Sequence, residues 1–148
     1  RLNCDATALS QVIAETCERC RPEFDGKGVA LIVQIGSDQP MIQADARRID
    51  QALRNLLRNA LQASQPGGTV YVTLKSTLLS IEDEGCGMDE QTVERLFSPF
   101  FTTKASGTGL GLCNVRRIVD AHGAEIRVWS EPGKGTRFEI EFRSEESS

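Results

Sequence analysis

The chain has 148 residues, of which 39% are hydrophobic and 26% charged, and this predicts one soluble globular domain. Its net charge of -4 excludes an extended nucleic-acid-binding surface, because such a surface needs clustered Lys and Arg. No apolar run approaches the ~18 residues of a membrane span, so we expect neither a span nor a signal peptide. Five cysteines without disulfide-framework spacing favour a reducing compartment, which predicts a cytoplasmic location.

Hydrophobic periodicity predicts three long helices, and a pair of β-rich segments follows each of them. The helices are predicted at residues 5–21, 46–64 and 109–122. The paired strands are predicted at 29–35 with 41–44, 69–75 with 78–83, and 124–130 with 136–142. We expect each pair to be antiparallel, Asp5 or Thr7 to cap the first helix, and Asp45 to cap the second. This order predicts an α+β fold, a two-layer sandwich whose mixed, mostly antiparallel sheet has helices on one face.

A long irregular segment, residues 84–108, separates the fourth strand from the third long helix. Only a short helix at about 89–96 is predicted inside it. A connection of this length in a compact domain is usually functional.

Two asparagines lie four residues apart in the second predicted helix. Because of this spacing, Asn55 and Asn59 share one helical face. They are either ordinary solvated side chains or amide oxygen ligands for Mg²⁺, a hard cation that prefers oxygen.

A carboxylate ends the strand predicted at 78–83, and glycines follow it. Asp83 could accept a hydrogen bond from an exocyclic amine, while Gly85 and Gly87 would let a flat ring approach the backbone. The alternative is an aspartate that caps its own turn.

A lysine and a glycine run precede the third long helix. Lys104 could contact a terminal phosphate, whereas Phe97 and Phe100 are expected to anchor their loop to the core. The run "GTGLGL" opens the helix, where backbone amides and the helix dipole favour an anion. Alone the run is weak, because it is neither a Rossmann fingerprint nor a P-loop.

Taken in order, "NLLRNALQA", "DEGCGM", "LFSPFFTTK" and "GTGLGL" resemble the N, G1, F and G2 boxes of sensor histidine kinases. These kinases share a superfamily with DNA gyrase, MutL and the heat-shock chaperone ATPases. The "PFFTTK" and "GTGLGL" forms look most like the nitrogen-regulation type. The resemblance implies a Bergerat-type ATP-binding domain over residues 1–143, a lid between the G1 and G2 boxes, and a disordered tail at 144–148.

The resemblance also implies an ATP site built from all four boxes. Asn55, Asn59 and Lys104 would be catalytic, with Asn59 as the Mg²⁺ ligand and Asn55 assisting it. Asp83 would bind the adenine amine, and Thr136 would contact the base region. The other nucleotide contacts would be Gly85, Gly87, Met88, Phe97, Gly107, Thr108, Gly109, Leu110, Gly111 and Leu112.

Two positions depart from the wider family. Gln62 stands where many members have a lysine, so charge compensation would fall to Lys104 or Arg58. Asn55 stands where the hydrolytic relatives have a glutamate general base. Because an amide cannot take a proton from water, this favours phosphoryl transfer over ATP hydrolysis.

The single histidine, His122, lies at a helix end beside Gly123 and is expected to be structural. We therefore expect a monomeric catalytic fragment of a longer sensor kinase. It would transfer the γ-phosphoryl group of Mg·ATP to a histidine on a separate dimerisation domain, with a response-regulator receiver protein downstream. The alternatives are a serine kinase or ATPase of the same superfamily, and a module that binds nucleotide without transfer.

Overall fold

A computed structural model describes residues 2–98 and 111–143, which form eleven helices and strands. In chain order they are β1 (Asp5–Ala8), α1 (Leu9–Lys27), β2 (Ala30–Ile35), β3 (Met41–Ala44), α2 (Ala46–Ala63), β4 (Thr69–Lys75), β5 (Leu78–Asp83), α3 (Glu90–Arg95), α4 (Gly111–Ala121), β6 (Glu125–Glu131) and β7 (Gly135–Glu141).

Five of the strands form one mixed sheet in the order β2-β4-β5-β7-β6. β2 and β4 run parallel, and every other neighbouring pair in this sheet is antiparallel. A parallel pair needs a crossover, and here the chain passes through β3 and α2 between the two strands. The predicted α+β class, with its mixed and mostly antiparallel sheet, is confirmed.

The buried core lies between this sheet and helices α1, α2 and α4. In β4 every second side chain is buried: Val70, Val72 and Leu74. α2 adds a stripe at helical spacing: Ile49, Ala52, Leu53, Leu56, Leu57 and Ala60. Each such large apolar side chain contributes about 1.5 to 3 kcal/mol on burial. The sheet's other face carries exposed Tyr71 and Trp129, so the described helices cover one face.

The hairpin predicted from 29–35 and 41–44 is wrong, because each strand has a different partner. β2 pairs with β4, and β3 pairs with β1 in a separate two-stranded sheet. Beyond β2, the N–H of Gly36 donates to the carbonyl of Leu74 at 2.8 Å, which extends the contact with β4. A β-rich pattern therefore located both strands, but it could not identify their partners.

The first helix begins later and ends later than predicted. Residues 5–8 are strand β1, and neither Asp5 nor Thr7 caps α1. The Thr7 hydroxyl instead lies between two carbonyl oxygens, 2.9 Å from that of Asp5 and 3.1 Å from that of Ala44 on β3. α1 continues through Pro22 to Lys27, because Phe24 is buried in the core beyond the proline.

The second helix starts as predicted. The Asp45 carboxylate accepts from the N–H groups of Arg47 at 3.2 Å and Arg48 at 3.4 Å. His122 lies at the end of α4, where its Nδ1 donates to the carbonyl of Ile118 at 2.8 Å. Its Nε2 accepts from the N–H of Asp45 at 3.0 Å. His122 thus joins the end of α4 to the start of α2, in agreement with the structural role expected for it.

The predicted antiparallel pairs β4–β5 and β6–β7 are both present. The short helix predicted at 89–96 is α3, which Asp89 caps through the N–H of Thr92 at 2.8 Å. Within residues 2–98 and 111–143, no helix has the length and apolar character needed to cross a membrane.

Candidate functional site

The two asparagines predicted to share a face do so on α2. Both side chains are half-buried beside the apolar stripe. The amide nitrogen of Asn55 donates to the carbonyl of Gly111, the first described residue of α4, at 3.3 Å. This bond orients the Asn55 amide and leaves its oxygen as an acceptor.

The same face of α2 leads to the loop after β5. Ala63 lies one turn beyond Asn59, and a Cβ placed on Gly85 would overlap the carbonyl of Ala63. The stripe formed by Asn55, Asn59 and Ala63 therefore runs from the start of α4 to the loop that follows Asp83.

Asp83 is the last residue of β5, and only 4% of it is exposed. One carboxylate oxygen accepts the N–H of Gly85 at 2.9 Å, so the aspartate does cap its own turn. This bond uses one of the roughly four acceptor positions of a carboxylate. The turn bond holds the carboxylate in place and is compatible with binding an amine.

Asp83 belongs to a row of residues that crosses the sheet on its helix-covered face. The row joins Val70, Asp83, Thr136 and Ser130 on β4, β5, β7 and β6. Thr136 is 6% exposed and lies directly opposite Asp83. Opposed residues of an antiparallel pair have Cβ atoms about 4.5 to 5.5 Å apart. The structure thus brings Thr136 to Asp83, as the predicted base contacts require.

Three glycines let the loop after β5 pack closely against its neighbours, Gly85 against α2 and the other two within the sheet. Besides Gly85, a Cβ on Gly87 would overlap the carbonyl of Glu131, and a Cβ on Gly135 would overlap that of Asp83. Gly87 and Gly135 also have left-handed backbones, with φ of 69° and 94°. The β6–β7 turn and the loop after β5 are therefore packed backbone against backbone.

Met88 and Phe97, both predicted nucleotide contacts, lie against the core. The N–H of Met88 donates to Ser130 Oγ at 2.8 Å. The Phe97 ring meets Phe138 edge-on at a centroid distance of 6.4 Å, and the Arg116 guanidinium lies 5.5 Å from its centroid. Phe97 thus anchors its segment, which was the alternative to a direct nucleotide contact.

Of the predicted contacts in α4, Gly111 accepts the Asn55 bond, and half-buried Leu112 packs against the core. The rest of the predicted glycine-run contacts and the catalytic lysine lie outside the described residues: Lys104, Gly107, Thr108, Gly109 and Leu110. Phe100, the part of the predicted lid from residue 99 onward and the predicted tail at 144–148 lie outside them too.

Arg58, one of the two candidates for charge compensation, lies away from the asparagine face. It lines a groove of about 220 Å³ between α1 and α2, beside Arg19 and Glu23. Gln62 is exposed. Lys104, the other candidate named for this role, lies outside the described residues.

The described residues contain no cluster of three or more His, Cys, Asp or Glu side chains that could hold a metal. Burial raises the pKa of the Cys17 thiol to about 12, so this thiol stays protonated and is not a thiolate ligand for a metal. A hard cation could instead use the amide oxygens of Asn55 and Asn59 together with phosphate oxygens and water. The donor set on this face fits Mg²⁺.

Two residues at the site were missed by the sequence reasoning, Ser130 and Gly135. Ser130 is the last residue of the strand predicted at 124–130, and Gly135 belongs to "EPGKG", which predicted only a hairpin turn. The glycine could have suggested a close backbone approach, but no local signal identifies the partners of the Ser130 hydroxyl.

The comparisons with known proteins give one consistent result. Residues 44–146 match the family of histidine kinase-, DNA gyrase B- and HSP90-like ATPases. The signal transduction histidine-protein kinase AtoS of Escherichia coli K12 is 42% identical over 138 residues. That match covers 90% of this chain and 23% of AtoS.

Solved structures with the same fold include histidine kinases. The nucleotide-free catalytic domain of histidine kinase ThkA has a TM-score of 0.84 at 30% identity, with 95% of each chain covered. Full-length ShkA in complex with AMPPNP has a TM-score of 0.85 at 28% identity, over 97% of this chain and 32% of ShkA. The chain spans less than a third of the length of the first curated relatives that it matches.

Proposed function

The chain belongs to the family of histidine kinase-, DNA gyrase B- and HSP90-like ATPases, as a histidine kinase catalytic domain, and from this premise we propose its reaction and site. It binds Mg·ATP and transfers the γ-phosphoryl group to a histidine on a separate dimerisation domain. The observation that carries the proposal is that the asparagine face of α2 lies beside the end of the sheet that contains Asp83 and Thr136. The face of α2 that carries Asn55 and Asn59 continues to Ala63, which packs against Gly85 in the loop after β5. This loop begins at the end of the sheet where Asp83 and Thr136 lie opposite each other.

In this proposal the asparagine face holds the metal and the phosphates. Asn59 is the Mg²⁺ ligand, and Asn55 assists it through its amide oxygen while its nitrogen stays bonded to Gly111. Bound Mg²⁺ would neutralise part of the charge that develops on the phosphates. Lys104 adds a positive charge at the terminal phosphate. Its place in "PFFTTK" supports this role.

The end of the sheet at Asp83 and Thr136, its polar end, binds the base. The Asp83 carboxylate accepts a hydrogen bond from the adenine amine, and Thr136 lies beside it. Gly85, Gly87 and Met88 form the loop at this edge. The remaining predicted contacts follow the motifs and complete the proposed site, apart from Phe97, which anchors its segment to the core: Gly107, Thr108, Gly109, Leu110, Gly111 and Leu112.

Asn55 also bears on the reaction type. An amide at this position cannot take a proton from water, so the residue favours transfer over hydrolysis. The phosphoryl group then passes in line to an imidazole supplied by another domain, and the site contributes positioning and charge stabilisation.

The wider assignment rests on the motifs. We propose that residues 1–143 act as a monomeric cytoplasmic domain, that its parent carries the histidine-containing dimerisation domain, and that a response regulator receives the phosphoryl group. The "PFFTTK" and "GTGLGL" forms support the nitrogen-regulation type.

The test mixes the chain with the dimerisation domain of its parent and γ-labelled Mg·ATP. We expect acid-labile, base-stable label on that domain, and none when its acceptor histidine is replaced by glutamine. Acid-stable label would support a serine kinase instead. Free phosphate without labelled protein would support an ATPase. Tight Mg·ATP binding without either product would support a module that only binds nucleotide.

A further inference from the structure

The hydroxyl of Ser130 on β6 makes three polar contacts at the end of the sheet. Its Oγ lies 2.8 Å from the backbone nitrogen of Met88, 3.0 Å from the carbonyl oxygen of Gly135, and 2.8 Å from Thr136 Oγ1. These contacts join β6, β7 and the loop after β5 at one atom.

The chemistry of two of the partners fixes the positions of the hydroxyl protons. A backbone N–H can only donate and a carbonyl can only accept, so Ser130 accepts from Met88 and gives its single proton to Gly135. Ser130 then has only a lone pair left for Thr136. The Thr136 hydroxyl must therefore donate its own proton to Ser130.

From this we infer that Ser130 sets the hydrogen-bond polarity of Thr136 and thereby selects the base. With its proton committed to Ser130, Thr136 turns only lone pairs toward the space beside Asp83, whose carboxylate also only accepts. This edge of the site takes a purine with an amine at its six position. It disfavours a purine with an oxygen there, because neither side chain offers that oxygen a proton. The inference rests on the proposed ATP site and adds to it a determinant of base specificity.

Ser130 acts here as a positioning residue. Its one proton and two lone pairs are all used within the protein, so it has no capacity for a ligand. Replacing it with alanine frees the Thr136 hydroxyl to rotate its proton toward the base. The affinity for a six-oxo purine should then rise relative to that for ATP.

The test measures dissociation constants for ATP and for inosine triphosphate, which carries an oxygen in place of the adenine amine. Since one neutral hydrogen bond is at stake, Ser130→Ala should lower the preference for ATP by roughly threefold to tenfold. Ser130→Thr keeps the hydroxyl and should keep the preference. Equal weakening of both nucleotides in Ser130→Ala, with the ratio unchanged, would overturn the inference, because it would mean that the residue is only structural.

Three further variants complete the test. Thr136→Val removes the hydroxyl and should also lower the preference, and adding Ser130→Ala to it should change the ratio no further. An unchanged ratio in Thr136→Val overturns the inference even if Ser130→Ala fails to fold. Asp83→Ala separates the two levels. Wild-type protein that does not bind ATP, or Asp83→Ala that binds it as tightly, overturns the proposed site itself.

Discussion

Gly87 and Gly133 share a left-handed backbone, with φ of 69° and 77°, but they differ in their surroundings. A Cβ on Gly87 would overlap the carbonyl of Glu131, whereas a Cβ on Gly133 would meet nothing within 4 Å. The pair separates the cost of backbone conformation from the cost of close packing.

We predict that Gly133→Ala lowers the free energy of unfolding by roughly 1 to 2 kcal/mol, the cost of a left-handed alanine. Gly87→Ala should lower it by about 1 to 3 kcal/mol more, because the loop after β5 must also move away from β6. Urea denaturation of both variants measures the difference. Equal losses would mean that the loop is not packed against β6 as described.

Asp83 and its neighbour Glu82 face opposite sides of the sheet, since Asp83 is buried and Glu82 is exposed. We predict that Asp83→Ala weakens ATP binding roughly tenfold to a hundredfold, because a charge-assisted hydrogen bond contributes about 1.5 to 3 kcal/mol. Glu82→Ala should bind ATP like the wild type. Calorimetric titration checks both, and unchanged affinity in Asp83→Ala would mean that Asp83 does not bind the adenine amine.

The sequence predicted those site residues whose positions follow from a local pattern or a recognisable motif. Asn55, Asn59 and Asp83 lie where they were expected, because helical spacing and a strand end are local patterns. Ser130 was missed because its partner Met88 is 42 residues away and serine is common in turns. Phe97 was assigned both to the nucleotide and to the core, and only the contact with Phe138 distinguishes the two.

Among the helices, α2 carries most of the site, and Asp45 fixes where it begins. The N–H groups of Asn3, Arg48 and Arg47 hold the pKa of Asp45 below its ordinary value, against the opposing effect of burial. Because the folded-state pKa is the lower one, this contribution to stability is present above about pH 4. It is lost as the pH falls through the folded-state pKa.

We predict that Asp45→Ala lowers the free energy of unfolding at neutral pH by about 1 kcal/mol. Asp45→Asn keeps a capping oxygen and should cost less, but it should lose the Asp45 part of the acid dependence. Urea denaturation at pH 7 and near pH 3 compares the variants with the wild type. A stability difference between wild type and Asp45→Asn that does not change with pH would contradict the charged cap.

The elements that were predicted well have strong local signals. α2 has a capping aspartate and a continuous apolar stripe, and the β6–β7 hairpin has a glycine-rich turn. β1 was read as part of α1, since a four-residue strand depends on its partner β3, which lies more than 30 residues away. The first helix was predicted to end at residue 21, but α1 continues through Pro22, because burial of Phe24 outweighs the single hydrogen bond that the proline removes.

At the scale of the whole molecule, the fold class followed from the order of the elements, but the strand order in the sheet did not. β2 lies at the sheet edge beside β4, and the crossover between these parallel strands contains α2, which packs against β5, the strand that ends in Asp83. The meeting of the asparagine face with the loop after β5 is therefore a product of topology. The motifs alone could only imply it through resemblance.

The molecule alone should bind ATP but release little phosphate from it. It has an amide at Asn55 in place of a carboxylate base, and its acceptor histidine would lie on another domain. A phosphate-release assay over many binding lifetimes checks this expectation. Rapid turnover by the isolated chain would favour the ATPase alternative over transfer.

We propose that the asparagine face of α2 and the end of the sheet at Asp83 and Thr136 form one Mg·ATP site. Calorimetric titration with ATP, in Mg²⁺ and then in a chelator, tests it on the wild type, Asn59→Ala and Arg58→Ala. Arg58 is the matched control, since it is adjacent in sequence but lines the groove against α1. We predict that Mg²⁺ strengthens binding to the wild type and to Arg58→Ala, and leaves Asn59→Ala unaffected. An Asn59→Ala variant that responds to Mg²⁺ like the wild type would contradict a metal site on the asparagine face.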